Sequence, residues 1–322
     1  MKTRALVLVL ASTLLAGCLN RIAWLPDGRR LVYVQDGVAW LVALDGQRTK
    51  LGEFAGLGNP EVTAAPRGGW IAVLGRSGGR GRVTILTEAG TVAWTGTMPG
   101  EEAQAVPGAW SADGGRLLVW GGKSSLLVDP AAASARVVEC GDAPRLDRAG
   151  DLVSLGAAGL ARLTRAGAVA KTAWKTPAGI QDAVPLLLTE DAAAAWWKGK
   201  RGGKDVTVLA GADGRIVFSS TRTLTNAGPD SRSYVTDAGG YAIVAAGKPE
   251  VNLNPIGNAL LRMDLNWYLV DPRAAEAMYN AEDLIASAPA FSPDGTRVAI
   301  LTPRLLCVAT LRTGEVSAIA KW

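Results

Sequence analysis

The chain contains the stretch Pro289-Ala-Phe-Ser-Pro-Asp-Gly-Thr-Arg-Val-Ala-Ile-Leu-Thr302, in which a turn signal separates two short apolar runs. Proline presets φ, aspartate hydrogen-bonds its own backbone and glycine accepts a positive φ, so Pro293-Asp294-Gly295 predicts a tight turn. The apolar flanks contain β-branched residues, which favour strands. The stretch therefore predicts a strand, a tight turn and a second strand.

Weaker copies of this unit recur along the chain. The glycine of the turn, or the residue in its place, stands at Gly28, Gly68, Gly114, Gly150, Asp191, Gly239 and Gly295. A second turn follows in each copy, as at Asp45-Gly46 and Asp213-Gly214, with further apolar runs on both sides. Four strands per unit, at a spacing of 36 to 56 residues, indicate the blades of a β-propeller.

We therefore expect an all-β chain folded as a seven-bladed β-propeller of four-stranded antiparallel blades, with six or eight blades as the alternatives. The blades should start near residues 21, 58, 103, 143, 181, 230 and 288, in one domain that spans residues 18–322. A stacked solenoid is the other repeat architecture that fits. Solenoids carry capping units at their ends, whereas the first and last copies here are the cleanest ones.

The N-terminal segment has the organisation of a leader. Lys2 and Arg4 precede an apolar run over residues 5–15, which is too short to span a bilayer. Leu15-Ala16-Gly17-Cys18 resembles the lipobox of bacterial lipoproteins, in which the cysteine is lipidated and becomes the mature N-terminus. The resemblance implies a signal peptide over residues 1–17, an acyl chain such as palmitate on Cys18, and a lipid-anchored place in the cell envelope. An ordinary secretory signal with a chance cysteine is the alternative.

The residue after the cysteine bears on the choice of membrane. Leu19 follows Cys18, where an aspartate would stand in lipoproteins kept at the inner membrane. By the same resemblance, the chain of a Gram-negative cell would be sorted to the outer membrane and face the periplasm.

The turn motif itself resembles that of a known family. Ser292-Pro293-Asp294-Gly295, with Leu25-Pro26-Asp27-Gly28 and Ser111-Ala112-Asp113-Gly114 as further copies, resembles the WD40-like (PD40) repeats of the TolB family. The separate N-terminal domain of TolB has no counterpart in this sequence. The resemblance therefore implies the type of blade and carries little about function.

Composition excludes several kinds of chemistry. The chain has no histidine, which excludes any mechanism in which this chain alone supplies an imidazole. The formal charge of +5 is mild and does not support nucleic-acid binding. Beyond Cys18, the cysteines are Cys140 and Cys307, which fall in the third and seventh repeats, so we predict two free thiols rather than a disulfide.

Candidate contacts lie in the connections between strands. In a propeller, the connections between second and third strands and between blades share one end of the ring, whereas the Asp-Gly turns lie at the other. Cys18 should emerge at the first end, because Asn20 begins the first inner strand. Basic residues predicted in these connections would face an anionic membrane: Arg76, Arg80, Arg82, Lys123, Lys198, Lys200, Arg201 and Lys204. A flexible, solvated glycine-rich loop is the alternative.

Three further features carry weaker hypotheses. Residues 247–266 read as an insertion between the second and third strands of the sixth blade, with Asn252 and Asn254 as candidate binding residues and padding of the rim as the alternative. The pair Trp196-Trp197 is a candidate for stacking on a sugar ring, and the alternative is that both residues are buried between blades. Acids in the blade connections would bind calcium only if they converge, and we assign no metal site: Glu53, Glu101, Glu102, Asp142, Asp182, Glu282 and Asp283.

These observations favour one function class. We expect a membrane-anchored, monomeric, non-catalytic envelope lipoprotein that serves as a binding or scaffold module for a protein or polymer, with no cofactor beyond the lipid on Cys18. The sequence has no phosphate-binding loop and no paired-cysteine motif. The alternative is a propeller enzyme of the lactonase or sugar-lyase kind that uses the channel carboxylates, with or without calcium. A cell-wall or glycan binder is the third hypothesis.

Overall fold

The structure, a computed structural model, is built mainly of β-sheets in the residues that it describes. It describes residues 20–100, 106–121, 124–139, 142–147, 150–156, 159–163, 169–170, 174–188, 194–220, 223–227, 233–237, 241–245, 251–252, 260–263, 266–269, 290–294, 296–301, 305–310 and 316–322. In these residues 30 strands make seven four-stranded sheets and one two-stranded sheet, all antiparallel. No helix in the described part has the length and hydropathy to cross a bilayer.

The first four sheets, numbered in chain order, follow the repeats of the sequence. Sheet 1 contains β1 (Ile22–Trp24), β2 (Arg30–Gln35), β3 (Val38–Ala43) and β4 (Arg48–Glu53). Sheet 2 contains β5 (Gly58–Ala64), β6 (Trp70–Ser77), β7 (Arg80–Thr87) and β8 (Val92–Thr97). Sheet 3 contains β9 (Val106–Trp110), β10 (Leu117–Trp120), β11 (Ser124–Asp129) and β12 (Ser134–Glu139). Sheet 4 contains β13 (Asp142–Leu146), β14 (Leu152–Gly156), β15 (Gly159–Leu163) and β16 (Val169–Ala170).

The remaining sheets complete the chain. Sheet 5 contains β17 (Gln181–Leu188), β18 (Ala194–Arg201), β19 (Lys204–Gly211) and β20 (Ile216–Ser220). Sheet 6 contains β21 (Thr223–Ala227), β22 (Ser233–Asp237), β23 (Tyr241–Ala245) and β24 (Val251–Asn252). Sheet 7 is the hairpin of β25 (Leu260–Met263) and β26 (Asn266–Leu269). Sheet 8 contains β27 (Ala290–Phe291), β28 (Arg297–Leu301), β29 (Leu305–Thr310) and β30 (Val316–Lys321).

The apolar cores lie between neighbouring sheets rather than inside one large interior. Strand β6 shows why, because its alternate residues pack in two directions. Ile71 and Val73 join the core shared with sheet 1, whereas Ala72 and Leu74 join the core shared with sheet 3. A strand that is buried on both faces has a continuous apolar sequence. The second strands of sheets 1 to 3, namely β2, β6 and β10, have such sequences.

The described packing follows the order of a ring and joins the first sheet to the last. The first strands of sheets 1 to 5 contact one another in chain order, and the first strand of sheet 8 contacts β1. Sheets 1 and 8 share a core that includes Leu31, Tyr33 and Leu306. The indole nitrogen of Trp24 donates a hydrogen bond to the carbonyl oxygen of Ala290 at 2.9 Å. This arrangement of radial sheets is a β-propeller, and its closure needs no strand exchanged between the first and last sheets.

The turn motif forms a local hydrogen-bond network. In sheet 3, the Ser111 hydroxyl donates to Asp113 Oδ1 at 2.6 Å and accepts the backbone N–H of Arg116 at 2.9 Å. Asp113 also accepts the backbone N–H of Gly115. The hydrogen bond from Ser111, followed by that from Gly115, holds the pKa of Asp113 below its usual value. The motif at residues 292–297 repeats these contacts, so its serine and aspartate serve the turn itself.

The sixth repeat differs from the prediction. The turn residue Gly239 predicts that the apolar run after it, Tyr241–Ala245, is the second strand of the sixth repeat. It is instead the third strand of sheet 6, because Thr223–Ala227 pairs with Ser233–Asp237 ahead of it. The polar composition of Thr223–Ala227 conceals that strand from a hydrophobicity pattern. The expected insertion at residues 247–266 instead supplies β24 and part of sheet 7. The number of blades therefore remains a prediction, because the two-stranded sheet 7 lies between sheets 6 and 8 in chain order, in addition to the seven four-stranded sheets.

Candidate functional site: two basic hairpins and the start of the first inner strand

One long hairpin carries the basic residues of sheet 2. We call it hairpin I; it joins β6 and β7, and only Gly78 and Gly79 form its turn, with φ values of +58° and +83°. Positive φ at both central residues characterises the type I′ turn, whose twist matches the flanking strands. Arg76 and Arg80 therefore lie on paired strands and not in an irregular connection.

A second hairpin in sheet 5, hairpin II, has the same design. It joins β18 and β19 through Gly202 and Gly203, whose φ values are +58° and +77°. Arg201 pairs with Lys204 across the turn, and Lys200 pairs with Asp205 one step below. Both hairpins have eight-residue strands, which are longer than the strands of sheets 1 and 3.

A glycine at the root of each hairpin allows the innermost strand to approach it. A Cβ added at Gly75 would lie 2.5 Å from Leu57 Cγ and 3.0 Å from the carbonyl oxygen of Gly58. A Cβ added at Gly199 would overlap Ile180 and lie 2.7 Å from the Gln181 carbonyl oxygen. Each hairpin is therefore seated on the start of the innermost strand of its own sheet, and a side chain at the root would force the two apart.

Strand register shows at which end of the ring the hairpins project. Gly58, the first residue of β5, pairs with Arg76, and Gln181, the first residue of β17, pairs with Lys200. Both hairpins thus extend beyond the end at which the innermost strands begin. We call this the tip end, and the opposite end, with the Asp-Gly turns, the turn end.

The hairpin cations are exposed. The set comprises Arg76, Arg80, Arg82, Lys198, Lys200, Arg201 and Lys204. Arg76 Nε donates to the carbonyl oxygen of Gly79 at 3.1 Å, within its own hairpin. The ion pairs formed in the described part of the chain involve Arg30 and Lys50 and none of these seven residues. Lys123, the remaining basic candidate, lies outside the described residues.

The start of the first inner strand is held by a buried carboxylate. Glu61, on β5, is 6% exposed, and its Oε2 accepts the backbone N–H of Asn20 at 3.1 Å and its side-chain amide at 3.3 Å. Burial raises the pKa of Glu61, partly offset by Asn20 and by Arg21. Burial likewise lowers the pKa of Arg21, and the charge of Glu61 opposes that shift. The backbone N–H of Val62 donates to the carbonyl oxygen of Asn20 at 2.6 Å. Asn20 is therefore tied to the neighbouring inner strand at the tip end.

Sequence reasoning missed Glu61. The residue follows Asn59 and Pro60 and precedes Val62, and no spacing marks it as different from any acid beside a strand. Its significance arises from a partner 41 residues away, which only the packing of β1 on β5 brings near.

The acidic residues expected near the channel do not form a single cluster among the described residues. Glu53 ends β4, the outermost strand of sheet 1, where it is exposed and ion-paired with Lys50. Asp182 lies on the innermost strand β17 with a φ of +50°, and Asp142 begins β13. Within the described residues no cluster of three or more His, Cys, Asp or Glu side chains could hold a metal. The other four acids, at positions 101, 102, 282 and 283, lie outside those residues.

The tryptophan pair is buried rather than displayed. Trp196 and Trp197 are 0% and 4% exposed, and Trp197 packs in the core of sheet 5 with Val208. Neither indole face is open to a sugar ring, so the stacking hypothesis for this pair is wrong and burial between sheets is its role.

The asparagine candidates differ from their predicted context. Asn252 ends β24, the outermost strand of sheet 6, instead of lying in an inserted loop. Asn254 lies outside the described residues.

One thiol prediction is confirmed. Cys307 is free and 4% exposed on β29, and burial raises its pKa to about 12. Cys140 lies outside the described residues. Cys307 is therefore a buried residue that packs in the core and does not act as a nucleophile.

Hairpin I also contains the spacing Gly-x-Ser-x-Gly, at residues 75–79. In hydrolases this motif places the serine on a turn between a strand and a helix. Here Ser77 is the last residue of β6 and the turn leads into another strand, in a chain without histidine. The match is therefore a product of glycine-rich hairpin sequence.

Comparisons with known proteins bear on the fold. No protein-family model matches the chain, and no curated protein matches it either. Among solved structures, an oligogalacturonate lyase in complex with manganese has 14% identity and a TM-score of 0.54, with 94% of this chain and 86% of that chain covered. PorZ, a surface component of the type-IX secretion system of Porphyromonas gingivalis, has 13% identity and a TM-score of 0.52, with 94% of this chain and 38% of that chain covered. Both neighbours are propellers, one an enzyme and one a secretion component, so the likeness shows that this chain has the β-propeller fold.

Proposed function

We propose that the protein is a lipid-anchored envelope lipoprotein with a TolB-like propeller that serves as a non-catalytic scaffold for a protein or polymer partner. In a Gram-negative cell it would face the periplasm from the outer membrane. The observation that carries the proposal is the attachment of Asn20 to Glu61 at the tip end. Cys18 precedes Asn20 by two residues, so at about 3.5 Å per residue the acyl chains would begin about 7 Å from the ring.

The turn end supports the scaffold role, because neighbouring sheets make it rigid. A Cβ at Gly114 would overlap the carbonyl oxygen of Arg67 in the adjacent sheet, and one at Gly90 would lie 2.7 Å from that of Leu51. Arg30 joins this packing through an ion pair to Glu88 of sheet 2 at 2.6 Å. A pre-ordered surface binds a partner without the cost of ordering loops. If the tip end faces the membrane, the turn end is the surface offered to partners.

The enzyme alternative would require carboxylates to converge on the axis. Glu53, one of the expected set, is on the rim and neutralised by Lys50. Glu61 is a carboxylate on an inner strand, but one of its oxygens already accepts two hydrogen bonds from Asn20. These positions favour the scaffold over the lactonase or lyase hypothesis.

Metabolic labelling tests the proposal. A bacterial host fed an alkyne analogue of palmitate should label the wild-type chain, and Cys18→Ala should remove both the label and membrane retention. Cys140→Ala is the matched control and should keep both. Label that persists in Cys18→Ala, or a wild-type chain that fractionates without membranes, would contradict the proposal. Crosslinking of the labelled protein in its native envelope would then identify the partner.

A further inference from the structure

We infer that hairpins I and II form a two-point contact for the anionic phospholipid headgroups of the membrane that holds the anchor. The inference rests on the proposed function, which gives the end of the ring that faces the membrane. It adds the class of lipid that is bound and the residues that bind it.

The two hairpins have a matched construction. Arg76 and Lys200 each stand two residues before the Gly-Gly turn, and Arg80 and Lys204 each follow it directly. Both hairpins have the same strand length, the same turn and a root glycine packed on an inner strand. Sheets 1 and 3, which share the four-stranded plan, lack this extension. Two sheets three places apart along the chain therefore present the same basic feature at the same end.

The two hairpins carry an excess of positive charge. Residues 75–83 and 198–206 together contain seven cations and one carboxylate, that of Asp205. All seven cations are exposed, and the ion pairs in the described residues leave them uncompensated. Charges that form no ion pair with the described residues remain available to an anionic surface.

The tips of both hairpins are narrow and open. Apart from the glycine itself and its two chain neighbours, no described atom lies within 4 Å of a Cβ built on Gly78, Gly79, Gly202 or Gly203, so both turns stand in open space. The register places Arg76 opposite Gly81 and Arg80 opposite Ser77, which puts the two cations on opposite faces of hairpin I. Cations on both faces of a glycine tip can contact the membrane surface when the hairpin points towards it.

The hairpins extend from the ring about as far as the anchor segment does. Strands β6, β7, β18 and β19 are two residues longer than β2 and β3, which adds about 7 Å at about 3.4 Å per residue. The segment between Cys18 and Asn20 spans about the same distance. The hairpin tips and the anchored cysteine would thus meet the same headgroup layer. An acyl anchor with a basic patch is one of the combinations of signals that make membrane attachment stable.

Vesicle binding tests the inference directly. The chain over residues 18–322 with Cys18→Ser keeps every residue that the structure describes and removes the acyl chain. It should bind phosphatidylglycerol-containing vesicles in a salt-dependent manner and not bind pure phosphatidylcholine vesicles. Arg76→Gln with Arg80→Gln should weaken binding about twenty-five-fold, at about fivefold per cation, and addition of Lys200→Gln and Lys204→Gln should weaken it roughly several hundredfold.

A control of equal charge separates the hairpins from net charge. It replaces four exposed cations at or near the turn end by glutamine: Arg29, Arg67, Lys175 and Arg215. Affinity for the same vesicles should stay within about threefold of wild type, because the Debye length screens the distant end. Unfolding midpoints of both quadruple variants should match wild type, which excludes misfolding as the cause.

Each other outcome overturns the inference. These outcomes are equal losses in the two quadruple variants, binding unaffected by the hairpin substitutions, or binding of a soluble polyanion such as heparin without binding of vesicles. A wild-type chain that takes up no label in the labelling experiment, together with intact vesicle binding through the hairpins, would overturn the anchor and leave the lipid contact standing. Normal labelling without hairpin-dependent binding would do the reverse.

Discussion

Replacement of Trp24 by phenylalanine should destabilise the ring more than the same replacement at Trp110. The two residues hold the same place in the repeat, four before the turn glycines Gly28 and Gly114, and both are buried, at 7% and 4% exposure. They differ in one contact. The Trp24 indole donates to the Ala290 carbonyl across the closure between sheets 1 and 8, whereas the Trp110 indole N–H has no acceptor among the described residues.

The magnitudes follow from this contrast. The smaller ring costs a similar amount at both sites, on the order of 1 to 2 kcal/mol for the space it leaves. At Trp24 the substitution also removes a hydrogen bond and leaves the Ala290 carbonyl without its donor, which adds about 1 to 2 kcal/mol. At Trp110 it removes a buried donor without a partner, which returns about 1 kcal/mol. The expected costs are about 3 kcal/mol for Trp24→Phe and about 1 kcal/mol or less for Trp110→Phe.

Urea unfolding of the two variants and the wild type measures this difference. Comparison of the midpoints is valid where the dependence of free energy on urea is unchanged, which shows that the same surface is exposed in each case. Equal costs for the two substitutions, or a larger cost at Trp110, would refute closure through the hydrogen bond between Trp24 and Ala290.

Three further predictions address buried groups and one hairpin root. Cys307 should resist a thiol reagent at about pH 8 and react only on unfolding, because its raised pKa of about 12 leaves a thiolate fraction on the order of one in ten thousand; fast labelling of the folded protein would contradict this. Burial raises the folded pKa of Glu61 above 4.5, so the folded state binds that proton more tightly and the resulting stability is lost as the pH rises through the folded pKa. The unfolding free energy of Glu61→Gln should therefore increase relative to that of the wild type as the pH rises from about 4 to about 7. A difference between the two proteins that does not change with pH would contradict this prediction. Gly199→Ala should cost roughly 1 to 3 kcal/mol because its Cβ overlaps Ile180. Gly58→Ala, whose Cβ meets its nearest described atom at 3.5 Å, should cost less than about 1 kcal/mol, and urea midpoints that do not separate the two would refute the seating of hairpin II.

Much of the fold is predictable because each strand pair is local. Apolar runs such as the one from Ile71 to Leu74 alternate with turn signals that bring a strand against its chain neighbour, and every four-stranded sheet pairs its strands in chain order. The prediction failed in the sixth repeat, where Thr223–Ala227 forms a strand from polar residues. There the pairing with Ser233–Asp237, and not side-chain hydropathy, makes the strand.

The candidate site was predictable in composition but not in form. The basic residues around Gly78 and Gly202 are visible in the sequence, yet their placement on type I′ hairpins depends on the register of β6 with β7 and of β18 with β19. Trp196 and Trp197 were candidates for exposure, and the core of sheet 5 buries them. A list of residue types does not indicate which face of a strand meets a neighbouring sheet.

The sequence by itself determined the repeat, the turn chemistry and the all-β class, because strand alternation and turns such as Ser111-Ala112-Asp113-Gly114 depend on residues within a few positions of one another. Only the tertiary structure decided the contacts between repeats. The bond from Trp24 to Ala290 spans 266 positions, and the bonds from Asn20 to Glu61 span 41. Such partners meet because each sheet must bury both faces against its neighbours, and closing the ring that satisfies this need brings together residues that no local pattern connects.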